Sequence, residues 1–264
     1  MEQLAAHDIA HLRADNPGPF TLTGTNTWLV GRDPCWIVDP GPQLPAHQEA
    51  VAREGRRRGG VAGIALTHDH QDHVGGIEPL LRLLRQAGDA PVVAAHRYPS
   101  DVAVGHGDVV GPFSAVATPG HAPDHLAFVT AAGVVFSGDA VLGEGSVFVA
   151  PAPGALRGYL DALRGLRGRD LRLICPGHGP LITEPHAKLD EYVSHRLERE
   201  RRLLEALEAG ARTIDELLDR VWSDAPAALR PAATVTLAAH LDKLDEEDRL
   251  PSGVARPELP DWLR

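Results

Sequence analysis

Six consecutive residues, His68-Asp69-His70-Gln71-Asp72-His73, bring three imidazoles and two carboxylates together one residue after the apolar run Gly63-Ile64-Ala65-Leu66. Ring nitrogens and carboxylate oxygens at this density are the donors a divalent ion selects. Neighbours on one helix face are three and four residues apart, so offsets of one and two do not suit a helix, whereas a loop leaving a strand aims successive side chains in different directions. The cluster is therefore expected at the end of a buried strand, just before a helix entry at Val74-Gly75-Gly76-Ile77. His68 and His70 are then free to face one ion while Asp72 and His73 face a neighbour. Four ligands do not complete two sites. Three glycine-bearing turns offer further donors: Thr118-Pro119-Gly120-His121, Ser137-Gly138-Asp139-Ala140 and Cys175-Pro176-Gly177-His178-Gly179-Pro180. Glycine beside each donor lets backbone approach an ion closely.

Short apolar segments bounded by turn residues predict strands over 27–30, 36–38, 64–66, 92–95, 127–129 and 134–136. Two amphipathic stretches, 77–86 and 156–166, predict core-facing helices, with Leu80, Leu83 and Leu84 in the first and Tyr159, Leu160, Leu163 and Leu166 in the second. Strands with outer helices make a layered α/β domain whose loops at one edge carry the chemistry. From about residue 187 the pattern becomes long helical periodicity, with Leu189, Tyr192, Val193, Leu197, Leu203, Leu204 and Leu207 on one face. Gly210 is expected to end that helix. Thr213 and Glu216 form a capping box that opens a short helix, and a further helix spans 232–244. A proline-rich tail, read as a small terminal hairpin, completes a winged-helix outline. The expected domains are 1–186, catalytic, and 187–264, a linker helix plus a winged-helix-like domain.

Composition narrows the partners. The 264 residues carry a formal charge of −10, which opposes broad attraction to nucleic acid or anionic membrane. No apolar run is long enough to span a bilayer, and the start Met1-Glu2-Gln3-Leu4 lacks a signal-peptide pattern, so a soluble cytoplasmic protein is expected. Cys35 and Cys175 stand far apart in apolar contexts and read as buried free thiols. His96 and His106 lack a metal-like context, and His186, His195 and His240, in the helical C-terminal half, read as surface or packing residues.

In order and context these motifs resemble the metallo-β-lactamase superfamily, over residues 23–180. The resemblance implies a four-layer αββα sandwich with metals at the edge of two sheets. It also implies that His68, His70 and His121 hold a first metal, that Asp72, His73 and His178 hold a second, and that Asp139 bridges them. Asp72 and Asp139 are the carboxylates expected to take part in catalysis. Two Zn2+ ions are the default cofactors, and iron or manganese accepts the same nitrogen and oxygen donors. The expected chemistry is attack of a metal-bridging hydroxide on an ester or thioester carbonyl. The same resemblance places Asp39 behind the ligands, with Thr67 as companion, and leaves Asp69 as a spacer. Asp124-His125 reads equally as a support for the site and as a turn closed by its own side chains. Asn26 is a candidate for lining the pocket.

Asp139 stands where lactamases of the common zinc type resemble one another in having cysteine, which argues against antibiotic hydrolysis. Glyoxalase II is similar in its ligand set but not in its C-terminal part. The segments 24–31, 120–125 and 138–145, with the winged-helix tail, resemble the beta-lactamase-like protein 2 group. That group resembles both an animal endoribonuclease acting on single-stranded RNA and fungal thioesterases that release polyketides from acyl carrier protein. The expected substrate is a small-molecule ester or thioester, free or carrier-bound; endoribonuclease or phosphodiesterase action on single-stranded RNA is the alternative. A non-enzyme reading is a metal-stabilised winged-helix DNA-binding regulator. In the segment 187–264 acidic residues outnumber basic ones, and the helix at 232–244 carries Lys243 against Asp242, a poor surface for phosphate. Positioning the substrate, covering the metal cleft, or a homodimer contact through Leu237, Leu241 and Leu244 is the job expected of this part instead.

Overall fold

The computed structural model describes residues 2–260. It contains a six-stranded sheet in the order β1-β2-β3-β4-β5-β6 and a five-stranded sheet in the order β11-β10-β9-β8-β7. The first comprises β1 (Ile9–Arg13), β2 (Asn26–Val30), β3 (Cys35–Val38), β4 (Val61–Ala65), β5 (Val92–Ala95) and β6 (Val102–Ala103). The second comprises β7 (Val109–Val110), β8 (Phe113–Ala117), β9 (Leu126–Thr130), β10 (Val134–Gly138) and β11 (Leu173–Pro176). The helices are α1 (Glu2–Ala6), α2 (Pro45–Arg57), α3 (Gln71–Val74), α4 (Ile77–Gln86), α5 (Ala155–Arg167), α6 (Pro185–Glu208), α7 (Ile214–Val221) and α8 (Arg230–Glu246). All six predicted strands are present. β1, β6, β7, β8, β11, α1 and α2 were not predicted, nor was α3, which starts at Gln71 and so carries Asp72 and His73 on a helical turn rather than on the expected loop. The buried positions of α2 include His47, Gln48 and Gly55 beside Val51 and Ala52, so polar and small residues hide its inner face from a hydrophobic-periodicity reading.

Side-chain alternation along the strands of the first sheet sorts its residues into two cores. Trp28, Val30, Val38 and Ala65 join Phe113, Phe128, Phe136 and Cys175 of the second sheet in one cluster, where Phe113 lies 5.6 Å from both Phe128 and Phe136. Leu29, Ile37 and Ile64 point the other way and pack with Val51, Ile77, Leu80 and Leu84 of α2 and α4. Burial on both faces explains why these strands read as nearly continuous apolar runs.

Register at one sheet edge prepares the site. Parallel pairing of β3 with β4 sets Val38 beside Ala65, so Asp39 leaves the sheet next to Leu66-Thr67. Parallel pairing of β10 with β11 sets Gly138 beside Pro176, which brings Asp139 next to Gly177-His178.

The chain forms two compact units. The first holds the residues up to Ala117 together with Asp124–Gly145 and Arg169–Pro185; the second holds Thr118–Pro123, Ser146–Gly168 and the chain from His186 onward. Within the second unit α5 buries Leu156, Tyr159, Leu160, Leu163 and Leu166, the predicted face. Thr213 and Glu216 make the predicted capping box, and Gly210 at φ 88° closes α6. Three readings change. Leu197 of α6 is 43% exposed while Arg196 beside it is 2% exposed, because Arg196 donates to Ser146 Oγ and to the carbonyl of Val147. Leu237, Leu241 and Leu244 of α8 sit at 0% exposure in a core with Leu203, Leu207, Leu217 and Val221, so they are spent on internal packing and are not available for a dimer contact. The expected terminal hairpin is absent among the described residues. The segment 249–260 has no strand and is held instead by Ala255 N–H on the carbonyl of Arg212 and by Arg256 on Asp242 and Asp245; residues 261–264 lie outside the described residues. His240 is the packing residue of its group, fully buried near Trp222. Among the described residues no helix is long and apolar enough to cross a membrane.

Candidate metal centre

Asp39 is the base on which the site is assembled. It follows β3 in a left-handed conformation, φ 52°, and is 2% exposed. Its Oδ1 accepts the Thr67 backbone N–H at 2.8 Å, and its Oδ2 accepts the Thr67 hydroxyl at 2.7 Å and the His73 Nδ1–H at 2.8 Å. Three donors on one buried carboxylate fix both the start of the histidine loop and the ring at its end. Because the Thr67 hydroxyl gives its proton to Asp39, its oxygen receives His68 Nδ1–H at 3.0 Å. This orients His68 Nε2 toward His70 Nδ1, 3.0 Å away.

The other nitrogen of His73 is the informative atom. Nε2 is buried and makes no hydrogen bond, yet Asp139 Oδ1 lies 3.4 Å from it and Asp72 Oδ2 3.6 Å. On the far side, His178 Nε2 lies 3.2 Å from Asp72 Oδ2 and 3.4 Å from Asp139 Oδ2, while its Nδ1 donates to the carbonyl of Gly24 at 3.3 Å. Donor atoms of His68, His73 and Asp139 lie within 4.8 Å of one another, and so do those of Asp72, His73 and His178. Asp139 Oδ1 faces His73 and Oδ2 faces His178, the arrangement of a carboxylate shared by two positions. Gly177 makes this approach possible: a Cβ there would stand 2.4 Å from Asp139 Oδ1 and 2.7 Å from His73 Cε1.

Charge follows geometry. Burial opposes a charged His73, but Asp72, Asp139 and Asp39 together outweigh it and raise the ring well above the ordinary histidine range. Burial likewise opposes an ionised Asp139, and His178 and His73 overcome it to hold the carboxyl well below its usual range. Asp72 is carried down to about 2, since His73 and His178 exceed the cost of burial and the repulsion of Asp139. His178 rises to about 9 because Asp139 and Asp72 exceed burial. With protons as the only cations, the site holds alternating positive rings and negative carboxylates. A divalent ion satisfies the same carboxylates and the orphaned His73 nitrogen, so the residues suit a metal of the zinc, iron or manganese type.

Of the predicted ligands, the first unit brings together His68, His70, Asp72, His73, Asp139 and His178. His121 belongs to the second unit, 4% exposed, after Gly120 at φ 141° and with its ring 4.5 Å from Phe148. Asp69 is exposed, as a spacer should be. Asn26 is 1% exposed, donates to the carbonyls of Pro176 and Gly179, and accepts from His11 Nε2 at 2.7 Å. With Trp28 Nε1, which also donates to Pro176 O, it ties β2 to the turn that carries His178. Neither contact is visible in sequence, since the partners are about 150 residues apart and backbone atoms. His125 receives Asp139 N–H on Nε2 at 3.0 Å, so it belongs to the site's support. Asp124 is 3% exposed, its carboxyl raised by burial and by the Asp69 charge. His96 and His106 are exposed, and each meets only a backbone group of its own neighbourhood, Val104 O and Ala117 N–H.

Comparison with known proteins finds matches over both parts of the chain. Residues 20–178 match the family model described as metallo-beta-lactamase superfamily, and residues 213–252 match the beta-lactamase associated winged helix domain. The beta-lactamase-like protein 2 homolog of Caenorhabditis elegans is 32% identical over 256 residues, 89% of this chain and 83% of that protein. The atrochrysone carboxyl ACP thioesterase of Aspergillus fumigatus is 30% identical over 241 residues, 83% of this chain and 75% of its own. Among solved structures, a beta-lactamase domain protein from Burkholderia ambifaria superposes with a TM-score of 0.78 at 20% identity, covering 94% of this chain and 91% of that one, a likeness of fold.

Proposed function

The chain belongs to the metallo-beta-lactamase superfamily, with its associated winged-helix domain, and is a metal-dependent hydrolase; from that premise we propose that it acts with two metal ions on the carbonyl of an ester or thioester. His68, His70 and His121 are the ligands proposed for one ion, Asp72, His73 and His178 for the other, with Asp139 shared. Zinc is the proposed metal, iron and manganese being compatible with the donors. When bound, such ions polarise the scissile carbonyl and supply a water acidified to near neutrality.

The observation that carries the reading is His73, whose Nδ1 is engaged by Asp39 at 2.8 Å and whose buried Nε2 has no hydrogen-bond partner among the facing carboxylates. A carboxylate that orients a histidine while leaving the other nitrogen open is the usual support of a metal-ligating ring. The nearby nucleophile types are unsuited to covalent catalysis. Ser137 Oγ donates to the carbonyl of Val141 at 2.8 Å, and burial pushes the Cys175 thiol well above its usual range. Asp72, whose side chain keeps 28% exposure, is the carboxylate of the cluster that solvent and an incoming group reach.

A thioester, free or presented on a carrier, is favoured by the thioesterase relative and by the state of the C-terminal cations. Arg230 is held by Asp215 and Asp219, Lys243 by Glu200 and Glu247, and Arg256 by Asp242 and Asp245. Paired cations contribute little to phosphate binding, which disfavours both single-stranded RNA as substrate and a DNA-binding role. We take residues 1–186 as the catalytic domain and 187–264 as linker helix and winged helix. The buried free thiols Cys35 and Cys175 support the reducing cytoplasm as its place of action.

The test is a panel assay on protein loaded with zinc, iron or manganese, offering acyl-pantetheine thioesters, lactones, glutathione thioesters and short single-stranded RNA, with elemental analysis of each preparation. Turnover of thioester or ester with about two ions per chain is expected. Cleavage of RNA with no carbonyl substrate turned over would overturn the substrate class, and duplex DNA binding without any turnover would overturn the enzyme itself.

A further inference from the structure

The residue that precedes β9, His125, is 1% exposed, and two of its contacts converge on the proposed metal ligands. Its Nε2 accepts the backbone N–H of Asp139 at 3.0 Å. A backbone amide only donates, so Nε2 carries no proton and the ring is the neutral tautomer protonated on Nδ1. The flat face of the same ring stacks on His68, centroids 4.9 Å apart and planes inclined by 30°. Gly138, at φ 45°, completes the fit: a Cβ there would stand 2.8 Å from His125 Nε2 and 2.5 Å from Thr67 Oγ1.

We infer that His125 is a positioning residue, a hydrogen-bond acceptor that sets the Asp139 carboxylate while its ring face sets His68. The inference rests on the proposed reading of Asp139 as a metal ligand. The turn that carries Asp139 is gripped from three sides: Gly177 N–H donates to Gly138 O at 2.9 Å, Ala140 N–H donates to Ser137 O at 2.9 Å, and Asp139 N–H enters His125. The first two hold the flanking residues. The third acts on Asp139 itself and decides which way its Cα–Cβ bond leaves the turn. Since Oδ1 and Oδ2 face different histidines 3.4 Å away, a small rotation at Asp139 spoils both approaches together. His125 therefore couples the placement of a shared carboxylate to the placement of His68, although it is not itself proposed as a ligand.

The acceptor role separates two substitutions of His125. His125→Gln keeps a side-chain oxygen able to reach the Asp139 amide, whereas His125→Leu fills the space without an acceptor. Full-length wild type, both variants and Asp139→Ala are stripped of metal and titrated with Co2+ against a chromophoric chelator, with the Co2+ absorption spectrum recorded and folding followed by circular dichroism. His125→Leu is expected to weaken Co2+ binding by about 10- to 100-fold and to alter the spectrum, while His125→Gln recovers most of both. In the wild type, 15N spectra of labelled histidine are expected to show His125 protonated on Nδ1 alone. Wild-type affinity and spectrum in the Leu variant, a Gln variant as weak as Leu, or a proton on Nε2 overturns the inference. If the Leu variant does not fold, His125→Asn, whose shorter amide stops short of the Asp139 N–H, takes its place with the same expectation. Wild-type Co2+ binding by Asp139→Ala would instead remove the ligand reading itself; loss in Asp139→Ala beside an unaffected His125→Leu would overturn the role of His125 alone.

Discussion

Asp39 Oδ2 and His73 Nδ1 are 2.8 Å apart at the base of the site, both side chains at 2% exposure or less, and this pair is where the fold hands its geometry to the chemistry. The same carboxylate accepts two further hydrogen bonds from Thr67, so every group facing it donates and none is placed to accept from the NH2 of an amide replacement. Asp39→Asn is expected to set its NH2 against a donor and to cost about 2 kcal/mol of stability by urea unfolding. It is also expected to weaken metal binding by about 10- to 100-fold. Wild-type metal affinity in a folded Asn variant would show that His73 needs no carboxylate behind it.

Asp139→Ala is expected to lower metal content and abolish hydrolysis while leaving the chain folded, because the carboxylate faces two histidines and its turn is held by backbone contacts. His96→Ala is the control, since that exposed ring bonds only to Val104 O. Elemental analysis and the thioester assay read both; two ions at normal rate in Asp139→Ala would refute its shared-ligand role.

The histidine loop, the turns at 137–140 and 175–180 and the amphipathic helices were legible in the sequence because each is local: donor types beside glycine, or leucines at helical spacing. The supports were not. Asn26 acts on carbonyls of Pro176 and Gly179, His125 on an amide of Asp139, and α2 buries His47 and Gln48, contacts that depend on register between distant strands rather than on any short pattern. The same limit misplaced Leu237, Leu241 and Leu244. An apolar stripe says that a helix face is covered, not whether the cover is the same chain, and here it is Leu203, Leu207 and Leu217.

Gly177→Ala tests how tightly the cluster is built. The added Cβ would meet Asp139 Oδ1 at 2.4 Å, an ionised oxygen held in place from the other side by its turn. Displacement of that carboxylate is expected to reduce metal content and hydrolysis to near the Asp139→Ala level, with a smaller loss of stability, about 1–3 kcal/mol. Normal metal content by elemental analysis would mean that the turn yields more freely than its contacts indicate.

Metal-free protein is expected to lose stability on the alkaline side. The His178 ring is raised to about 9, burial opposing and Asp139 and Asp72 prevailing, so its stabilising contribution is complete below the unfolded value near 6.5 and is lost as pH rises through about 9. Metal binding must displace the same proton, so apparent affinity climbs across that window. Urea unfolding of chelator-treated protein at pH 6, 7.5 and 9, compared with His178→Asn, reads the effect. Equal pH dependence in wild type and variant would assign it to another group.

On the acid side the group to watch is His240. It is fully buried in α8 with neither ring nitrogen hydrogen-bonded, and its ring centroid lies 6.0 Å from that of Trp222. Burial above all, then the charges of Arg196, Lys243, His195 and Arg199, push it down to about 3. The unfolded chain therefore takes up a proton below about pH 6.5 that the folded chain refuses until about 3. Stability falls as pH drops through that interval, by up to a few kcal/mol. His240→Leu removes the titrating ring and two unsatisfied nitrogens at similar volume, so it is expected to be neutral or stabilising at pH 7 and to flatten the acid loss. Thermal unfolding at pH 7 and 4.5 checks it: a Leu variant that is less stable at pH 7 and equally acid-sensitive would show that the ring has partners in solution, and that the acidity is felt elsewhere.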